Sequence, residues 1–345
     1  MRFEAERKET VMLNPRKNMK KRTVSTEIRR DPLTGRTSRI CHLMRLQWEK
    51  QDYSDLAEAT RENCPFCWEN VLNLTPHFPA NIVREGRIVS DDMVLFPNIA
   101  PYDGVAAVVT MGKSHFLAMT EIEPERVSSA LGLCLSFFRG LEDSGHSEAV
   151  YHLVSWNYMP VSGSSLIHPH LQVFSTSTAP NFVREELQAA QMYTEKRGTN
   201  YWDDLVSIEK ARGERYLGTT GRTHWLSAYA PLGVADDVLA VVEGVERTVA
   251  LTAEDVSDLA LGLTKAMAAY DRIGIMSFNM GFFTGGKGDS HARFHMIFTP
   301  RAYFNQAVGT PDVNSLRILY NEPICMGFPE DIAKLLLSEF GSDRF

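Results

Sequence analysis

The sequence is short of cysteine, of long apolar runs and of low-complexity stretches. Five cysteines in 345 residues are neither a disulfide framework nor the mark of an exported protein. Apolar runs such as residues 105–110 fall far short of the roughly 20 residues that a membrane-spanning helix needs. The opening Met-Arg-Phe-Glu-Ala-Glu-Arg has no apolar core behind it, so no secretory signal is expected and a cytoplasmic location is. With 44% hydrophobic, 10% aromatic and 23% charged residues, the chain has the composition of a globular protein with an ample core, not of a disordered one. Its length suits one large domain or two ordinary ones.

Charge is unevenly spread. The net charge is −7, but residues 1–30 carry ten Lys or Arg against four Glu, so this segment is +6 and the remainder −13. The densest basic cluster is Arg16-Lys17-Asn18-Met19-Lys20-Lys21-Arg22. Without an aromatic residue to offer a base a stacking platform, it reads as a solvated arm (residues 1–28) and not as a nucleic-acid site.

Alternating and β-branched residues predict strands at 40–46, 93–96, 105–110, 149–156, 225–228 and 238–242. Helical spacing predicts helices at 124–141, 180–196, 201–212 and 252–270. Part of this order repeats. Ala100-Pro101 recurs as Ala230-Pro231, and Ala130-Leu131-Gly132-Leu133 as Ala260-Leu261-Gly262-Leu263, both offset by 130. Ser155-Trp156-Asn157 is echoed by Ser277-Phe278-Asn279, and each copy ends in a histidine-bearing strand. Several matches in order point to duplication. The expected fold is α+β, with two tandem halves (29–198 and 199–345), each an antiparallel sheet with a long helix.

Three motifs could carry chemistry. In His168-Pro169-His170-Leu171-Gln172, strand alternation would project His168, His170 and Gln172 from one face, beside the Gly/Ser-rich Ser162-Gly163-Ser164-Ser165. Two imidazoles and an amide there suit nucleophilic attack on phosphorus, with donors for its oxygens. Cys64-Pro65-Phe66-Cys67 has zinc-ligand spacing but needs two further ligands, with His115 and His168 the best candidates; a redox pair is the rival reading. His291-Ala292-Arg293-Phe294-His295-Met296-Ile297 resembles a second copy of the histidine strand, with Ile297 expected at the nucleophile's place. Thr284-Gly285-Gly286-Lys287-Gly288 lacks the Ser or Thr that a P-loop needs after Lys.

His-Pro-His-x-Gln, Cys-Pro-Phe-Cys upstream, and Arg30-Asp31-Pro32-Leu33-Thr34-Gly35 together resemble the galactose-1-phosphate uridylyltransferase family, a branch of the histidine-triad superfamily built from two related halves. The resemblance implies histidine-triad-like halves, the first with the nucleophile and the second without. It implies His170 as nucleophile, Gln172 as its phosphoryl-binding partner, and a structural zinc ion on Cys64, Cys67, His115 and His168. It further implies Asn98, Asn157 and Ser165 around the nucleotide and phosphates, with Arg45 and Glu322 as further substrate contacts. The family's second metal site keeps only Glu186 and His295, with Phe283 and Ile297 at its other positions, so it is expected to be absent. No Gln accompanies Glu322 where the family contacts the hexose. The implied reaction moves a nucleoside monophosphate from a nucleoside-diphosphate sugar to a hexose 1-phosphate, in a homodimer; the alternatives are a phosphorylase that uses inorganic phosphate (on an NDP-sugar or a dinucleoside polyphosphate) and a non-catalytic nucleotide binder.

Overall fold

A computed structural model describes residues 1–41 and 47–341. Strands β1 (Glu4–Asn14), β2 (Lys20–Arg30) and β3 (Thr37–Cys41) precede two short helices, α1 (Ser54–Arg61) and α2 (Trp68–Leu74). Next come β4 (Ile88–Ser90), β5 (Met93–Pro97), β6 (Val105–Thr110), the long helix α3 (Pro124–Asp143), β7 (Tyr151–Tyr158) and β8 (His170–Thr176). Helices α4 (Asn181–Arg197) and α5 (Tyr201–Arg212) lead into β9 (Tyr216–Thr220), β10 (Thr223–Ser227) and β11 (Val238–Val242), followed by α6 (Ala253–Arg272), β12 (Ser277–Phe283) and β13 (His295–Arg301). The last described elements are β14 (Tyr303–Asn305), β15 (Thr310–Pro311), α7 (Ser315–Tyr320), β16 (Ile324–Cys325) and α8 (Pro329–Phe340).

Local signals explain several boundaries. Pro124 opens α3, where its missing N–H costs nothing. Thr252 and Asp255 form a capping box on α6, the Thr hydroxyl accepting from the Asp255 N–H at 3.2 Å and the Asp carboxylate from the Thr252 N–H at 2.7 Å. Gly198 (φ 74°) and Gly213 (φ 66°) end α4 and α5 in the left-handed region.

The two expected sheets are merged into one. Ten strands run β4-β5-β6-β8-β7-β12-β13-β11-β10-β9, and every neighbouring pair is antiparallel. The order is palindromic about the β7–β12 seam. Helices α3 and α6 pack together over one face of this sheet. Trp156 and Tyr158 of β7 are buried on that side with Phe278, Met280 and Phe282 of β12, and each such side chain contributes about 1.5–3 kcal/mol by leaving water. The opposite face mixes polar with apolar residues and is half-buried around the seam but buried towards both ends of the sheet, at Phe96, Val108 and Leu226. A single row crosses it strand by strand: Phe96, Val108, Gln172, Ser155, Gly281, Ile297, Leu239, Leu226.

One likeness between the halves was not expected from the repeat: His295 opens β13 as His170 opens β8. The two histidines also share a hydrogen bond, each Nδ1 lying 2.7 or 3.0 Å from the carbonyl oxygen two residues earlier.

The basic arm is an ordered β-hairpin. β1 and β2 pair from Glu4–Arg30 to Asn14–Lys20, and β1 is exposed along almost its whole length. Its base is clamped to the second half. The Arg29 guanidinium donates to both oxygens of Glu330 (2.8 and 2.9 Å), and Arg215 donates to Glu330 (2.5 Å) and Glu209 (2.7 Å).

Candidate active site

The site is assembled where the start of β8 meets the loop after β6 and the turn before α2. The Cys64–Cys67 segment is a tight turn, with the Cys67 N–H donating to the Cys64 carbonyl and the Asn70 side chain donating to that same oxygen at 2.9 Å. Both sulfurs therefore point into the interior. Cys64, Cys67, His115 and His168 bring one ligand atom each within 4.8 Å of one another, and all four residues are buried. This is the one group of its kind among the described residues.

The hydrogen bonds around the cluster decide which ring nitrogen each histidine offers. His168 Nε2 lies 2.9 Å from the Gly112 carbonyl. A carbonyl can only accept, so Nε2 carries the proton and Nδ1 presents its lone pair. His115 Nε2 lies 3.0 Å from Thr60 Oγ1, whose own proton goes to the Leu56 carbonyl at 2.7 Å. His115 too therefore keeps Nδ1 free. The Cys67 sulfur sits 3.3 Å from Nδ1 of His115 and 3.7 Å from Nδ1 of His168, close to the roughly 3.5 Å that separates S and N ligands around a tetrahedral ion. Burial, then the neighbouring Cys64 sulfur, pushes the Cys67 thiol up to about 12. Burial likewise drives His168 down to about 4. Two thiolates here require a cation to offset them, and the neutral imidazoles are ready to bind one. The residues fit a metal ion.

Gly112 holds this arrangement together. Its φ is +104°, and an added Cβ would lie 1.8 Å from an Arg126 nitrogen and 2.9 Å from an Asp92 oxygen. Only glycine lets the backbone turn there and aim its carbonyl at His168.

His170 opens β8, so His168 lies in the preceding loop and not on the strand. The His170 Nδ1–H donates to the carbonyl oxygen of His168 at 2.7 Å, which fixes the tautomer and leaves the Nε2 lone pair free. Burial pushes this imidazole below its usual range, against the upward pull of that carbonyl, so the ring is neutral and nucleophilic at neutral pH. Phe66, between the two cysteines, packs edge-on against the His170 ring at 5.1 Å. Gln172 follows on the same half-buried face, paired in register with Ser155 of β7. Two residues beyond that pair, the Asn157 side-chain Oδ1 accepts from Asn279 Nδ2 at 2.7 Å.

The other expected residues fall as follows. Ser165 is exposed in the β7–β8 loop, which enters through Met159 (φ 69°) and turns at Gly163 (φ 91°). Asn98 follows β5 and caps its own turn, accepting from the Ala100 N–H at 3.0 Å. Glu322 accepts from Thr37 Oγ1 at 2.9 Å and pairs with Arg39 at 3.1 Å; it lines a cavity with Asn279, Thr299 and Arg301. Arg45 lies outside the described residues. Glu186 and His295 stand 3.4 Å apart, with the His295 ring stacked between Trp202 (4.0 Å) and Phe283 (4.9 Å).

Three contributors escaped the sequence reading. Thr60 carries no motif and is recognised only by its contact with His115. The Gly112 carbonyl sat in the Gly112-Lys113-Ser114-His115 stretch, but without a side chain to flag it. Asn279 was visible as the echo of Asn157, and the seam brings the two together.

The structure aligns with a uridylyltransferase at a TM-score of 0.64 and 19% identity, covering 92% of this chain and 99% of that one. The chain has the uridylyltransferase fold. An ADP-glucose phosphorylase of Arabidopsis thaliana, solved with bound ADP-glucose, has the same fold, with a TM-score of 0.67 and 16% identity over 90% of this chain and 98% of that one. In sequence, the chain is 28% identical over 309 residues to an uncharacterized protein of Archaeoglobus fulgidus, covering 89% of this chain and 90% of the relative. It is 32% identical over 145 residues to a galactose-1-phosphate uridylyltransferase of Haemophilus influenzae, a match spanning 40% of this chain and 41% of the relative. No protein-family model matches. The family likeness suggested by the motifs therefore holds in both fold and sequence, while the stretch shared with the named relative is under half of each chain.

Proposed function

We propose that the protein is a nucleotidyltransferase that acts on nucleoside-diphosphate sugars through a covalent nucleotidyl-His170 intermediate. One observation carries this reading: a buried, neutral His170 with its Nδ1–H committed to a carbonyl and its Nε2 free, two residues from a Cys2His2 cluster, on a uridylyltransferase fold. His170 Nε2 attacks the α-phosphorus of the NDP-sugar, an N–P bond forms, and the bond to the bridging oxygen breaks. Sugar 1-phosphate leaves with that electron pair. A phosphate oxygen of the acceptor, a hexose 1-phosphate, then attacks phosphorus; the N–P bond breaks and its electron pair returns to Nε2. Gln172 and Ser165 donate to the phosphoryl oxygens as charge develops there, and Asn98, Asn157 and Arg45 hold the nucleotide. Cys64, Cys67, His115 and His168 would hold a zinc ion, which when bound would supply rigidity and not catalysis. That rigidity positions the His168 carbonyl, which orients the nucleophile.

A second reading has support of its own. Glu322 is engaged by Thr37 and Arg39 and has no Gln beside it, so the acceptor site departs from one built for hexose hydroxyls. Inorganic phosphate as acceptor would make the protein a phosphorylase. Intact-mass spectrometry after mixing with UDP-glucose or ADP-glucose, without acceptor, tests the shared step. A UMP or AMP adduct is expected, absent from His170→Ala; no adduct with either donor overturns the proposal. Adding galactose 1-phosphate or phosphate to the adduct then separates the two acceptors by which one removes it.

A further inference from the structure

The sheet face that carries Gln172 has a cavity across the seam from the nucleophile. Ser155 of β7 faces Gln172 of β8. One alternation further, on the His170 side, a row crosses β7, β12 and β13 as Asn157, Asn279 and Thr299. Asn279, Thr299, Arg301, Asp312, Arg317 and Glu322 line a space of about 190 Å³ at the end of that row. A cavity of about 150 Å³ holds a benzene ring, so there is room here for one sugar ring and not for a nucleotide. β13 stands three positions from β8 in the sheet, roughly 14 Å at about 4.8 Å per strand. A sugar joined through its phosphates to a nucleotide at His170 would reach it.

Most polar groups around this space are spent on one another. Asn279 Nδ2 donates to Asn157 Oδ1 at 2.7 Å, and Asn279 Oδ1 accepts from Arg301. Arg301 also donates to both oxygens of Asp312, at 2.9 and 2.6 Å. Both oxygens of Glu322 accept from Thr37 Oγ1 at 2.9 Å, and Arg39 pairs with it at 3.1 Å. Arg317, half-buried on α7, is the exception. A guanidinium has five N–H donors. One of them reaches Asn321 Oδ1, at a long 3.3 Å, and among the described residues no carboxylate forms an ion pair with it. Burial pushes this guanidinium below its usual range; Asp237 pulls it back from further off, and Arg301 pushes it down again. Asp237 is itself engaged, accepting from the Leu232 and Gly233 N–H groups at 2.5 and 3.1 Å.

An anion would complete the site, and the surrounding charges say which kind. Arg301 balances Asp312, and Arg39 balances Glu322. One guanidinium then matches a single negative charge. A phosphate carries nearly two at neutral pH, and the excess would face Asp237, Asp312 and Glu322. The guanidinium fork fits a carboxylate, two N–H donors meeting two oxygens.

Resting on the nucleotidyl-transfer reading above, we propose that this cavity takes the sugar of the substrate and that Arg317 selects a sugar acid by gripping its carboxylate. The substrate class is then a nucleoside-diphosphate hexuronate with its hexuronic acid 1-phosphate, in place of a neutral hexose. Glu322, committed to Thr37 and Arg39, no longer serves a neutral sugar's hydroxyls. Arg317 sets specificity and takes no part in the exchange at phosphorus.

Calorimetry of the full chain tests the binding without any adduct. Glucuronic or galacturonic acid 1-phosphate should bind at least about tenfold more tightly than glucose or galactose 1-phosphate. Arg317→Met should bring each acid to within about threefold of its neutral partner, at an unchanged melting temperature, and Arg317→Lys should keep part of the preference as a point charge. On nucleotidylated protein, the preferred acid should discharge the adduct at least about tenfold faster than its neutral partner. The two ideas fail separately. Absence of an adduct with every donor sinks the His170 reading, while calorimetry still decides the sugar. Equal binding of acid and neutral sugar phosphates, or a preference that survives Arg317→Met, overturns the proposal whether or not an adduct forms.

Discussion

The two halves each open a sheet strand with a histidine held by the same kind of hydrogen bond, and treat it in opposite ways. His170 and His295 each open their strand, and each gives its Nδ1–H to the carbonyl two residues back. One is flanked by the Cys2His2 cluster. The other is sandwiched between Trp202 and Phe283 and faces Glu186. The backbone thus sets the tautomer in both copies, and the neighbours decide whether Nε2 is open to a substrate. The halves are also braced differently. The Cys2His2 cluster draws the turn between α1 and α2 to the loop after β6 and the loop before β8 in the first, while the Arg29–Glu330–Arg215–Glu209 ion network ties β2, α5 and α8 in the second.

Replacing each histidine in turn breaks the comparison most sharply. His170→Ala should lower nucleotidyl transfer by on the order of 10⁴-fold, and His295→Ala by less than about threefold, in a labelled-phosphate exchange assay. Equal losses would show that the two sites act together. The bracing comes next. Burial raises the Glu330 carboxyl, but hydrogen bonds from Arg29 and then Arg215 outweigh it and hold the group at about 2. A carboxyl so depressed adds stability that is full above its ordinary value near 4.5 and is lost as pH falls towards about 2. Glu330→Gln should therefore cost about 3 kcal/mol at neutral pH and flatten the acid limb between those values, read from urea unfolding at stepped pH. An unchanged acid limb would remove the network from the account of stability.

In the first half, Thr60→Val removes the acceptor that fixes His115 and should weaken zinc binding by roughly 10–100-fold, measured by competition with a chromophoric chelator. The repeated Ala-Leu-Gly-Leu stretches give the smallest and cleanest pair. A Cβ on Gly262 would lie 2.0 Å from the buried Trp225 ring, whereas nothing lies within 4 Å of one on Gly132. Gly262→Ala should destabilise by roughly 1–3 kcal/mol through overpacking. Gly132→Ala should stabilise by about 0.5–1 kcal/mol through helix propensity, both read from urea midpoints.

Much of this fold was legible because its signals are local. Periodicity placed α5, β6 and β11 to the residue, and the long helices to within two, since each is a continuous apolar stripe or run. The hairpin of residues 4–30 was missed because its strands bury almost nothing, so no hydrophobic alternation marks them. Merging of the sheets depends on β7 meeting β12 more than a hundred residues on, which no local window contains. At the site, Cys64, Cys67, His115 and His168 were nameable from motif and resemblance, because metal ligands are chemically distinctive side chains. The groups that orient them were not, since a carbonyl at Gly112 and a hydroxyl at Thr60 leave no such trace. The likeness of His295 to His170 was not legible either, because it lies in a hydrogen bond to a backbone carbonyl that only the folded chain shows.

The seam has a consequence for dissecting the molecule. In the intact chain the β7 N–H and C=O groups facing the second half are paired with β12. A first half expressed without the second would present that strand as an open sheet edge, alternately half-buried and buried along all eight residues, a ready template for joining another chain. Truncation at the midpoint would yield self-associating material, and the halves are best studied by substitution within the whole.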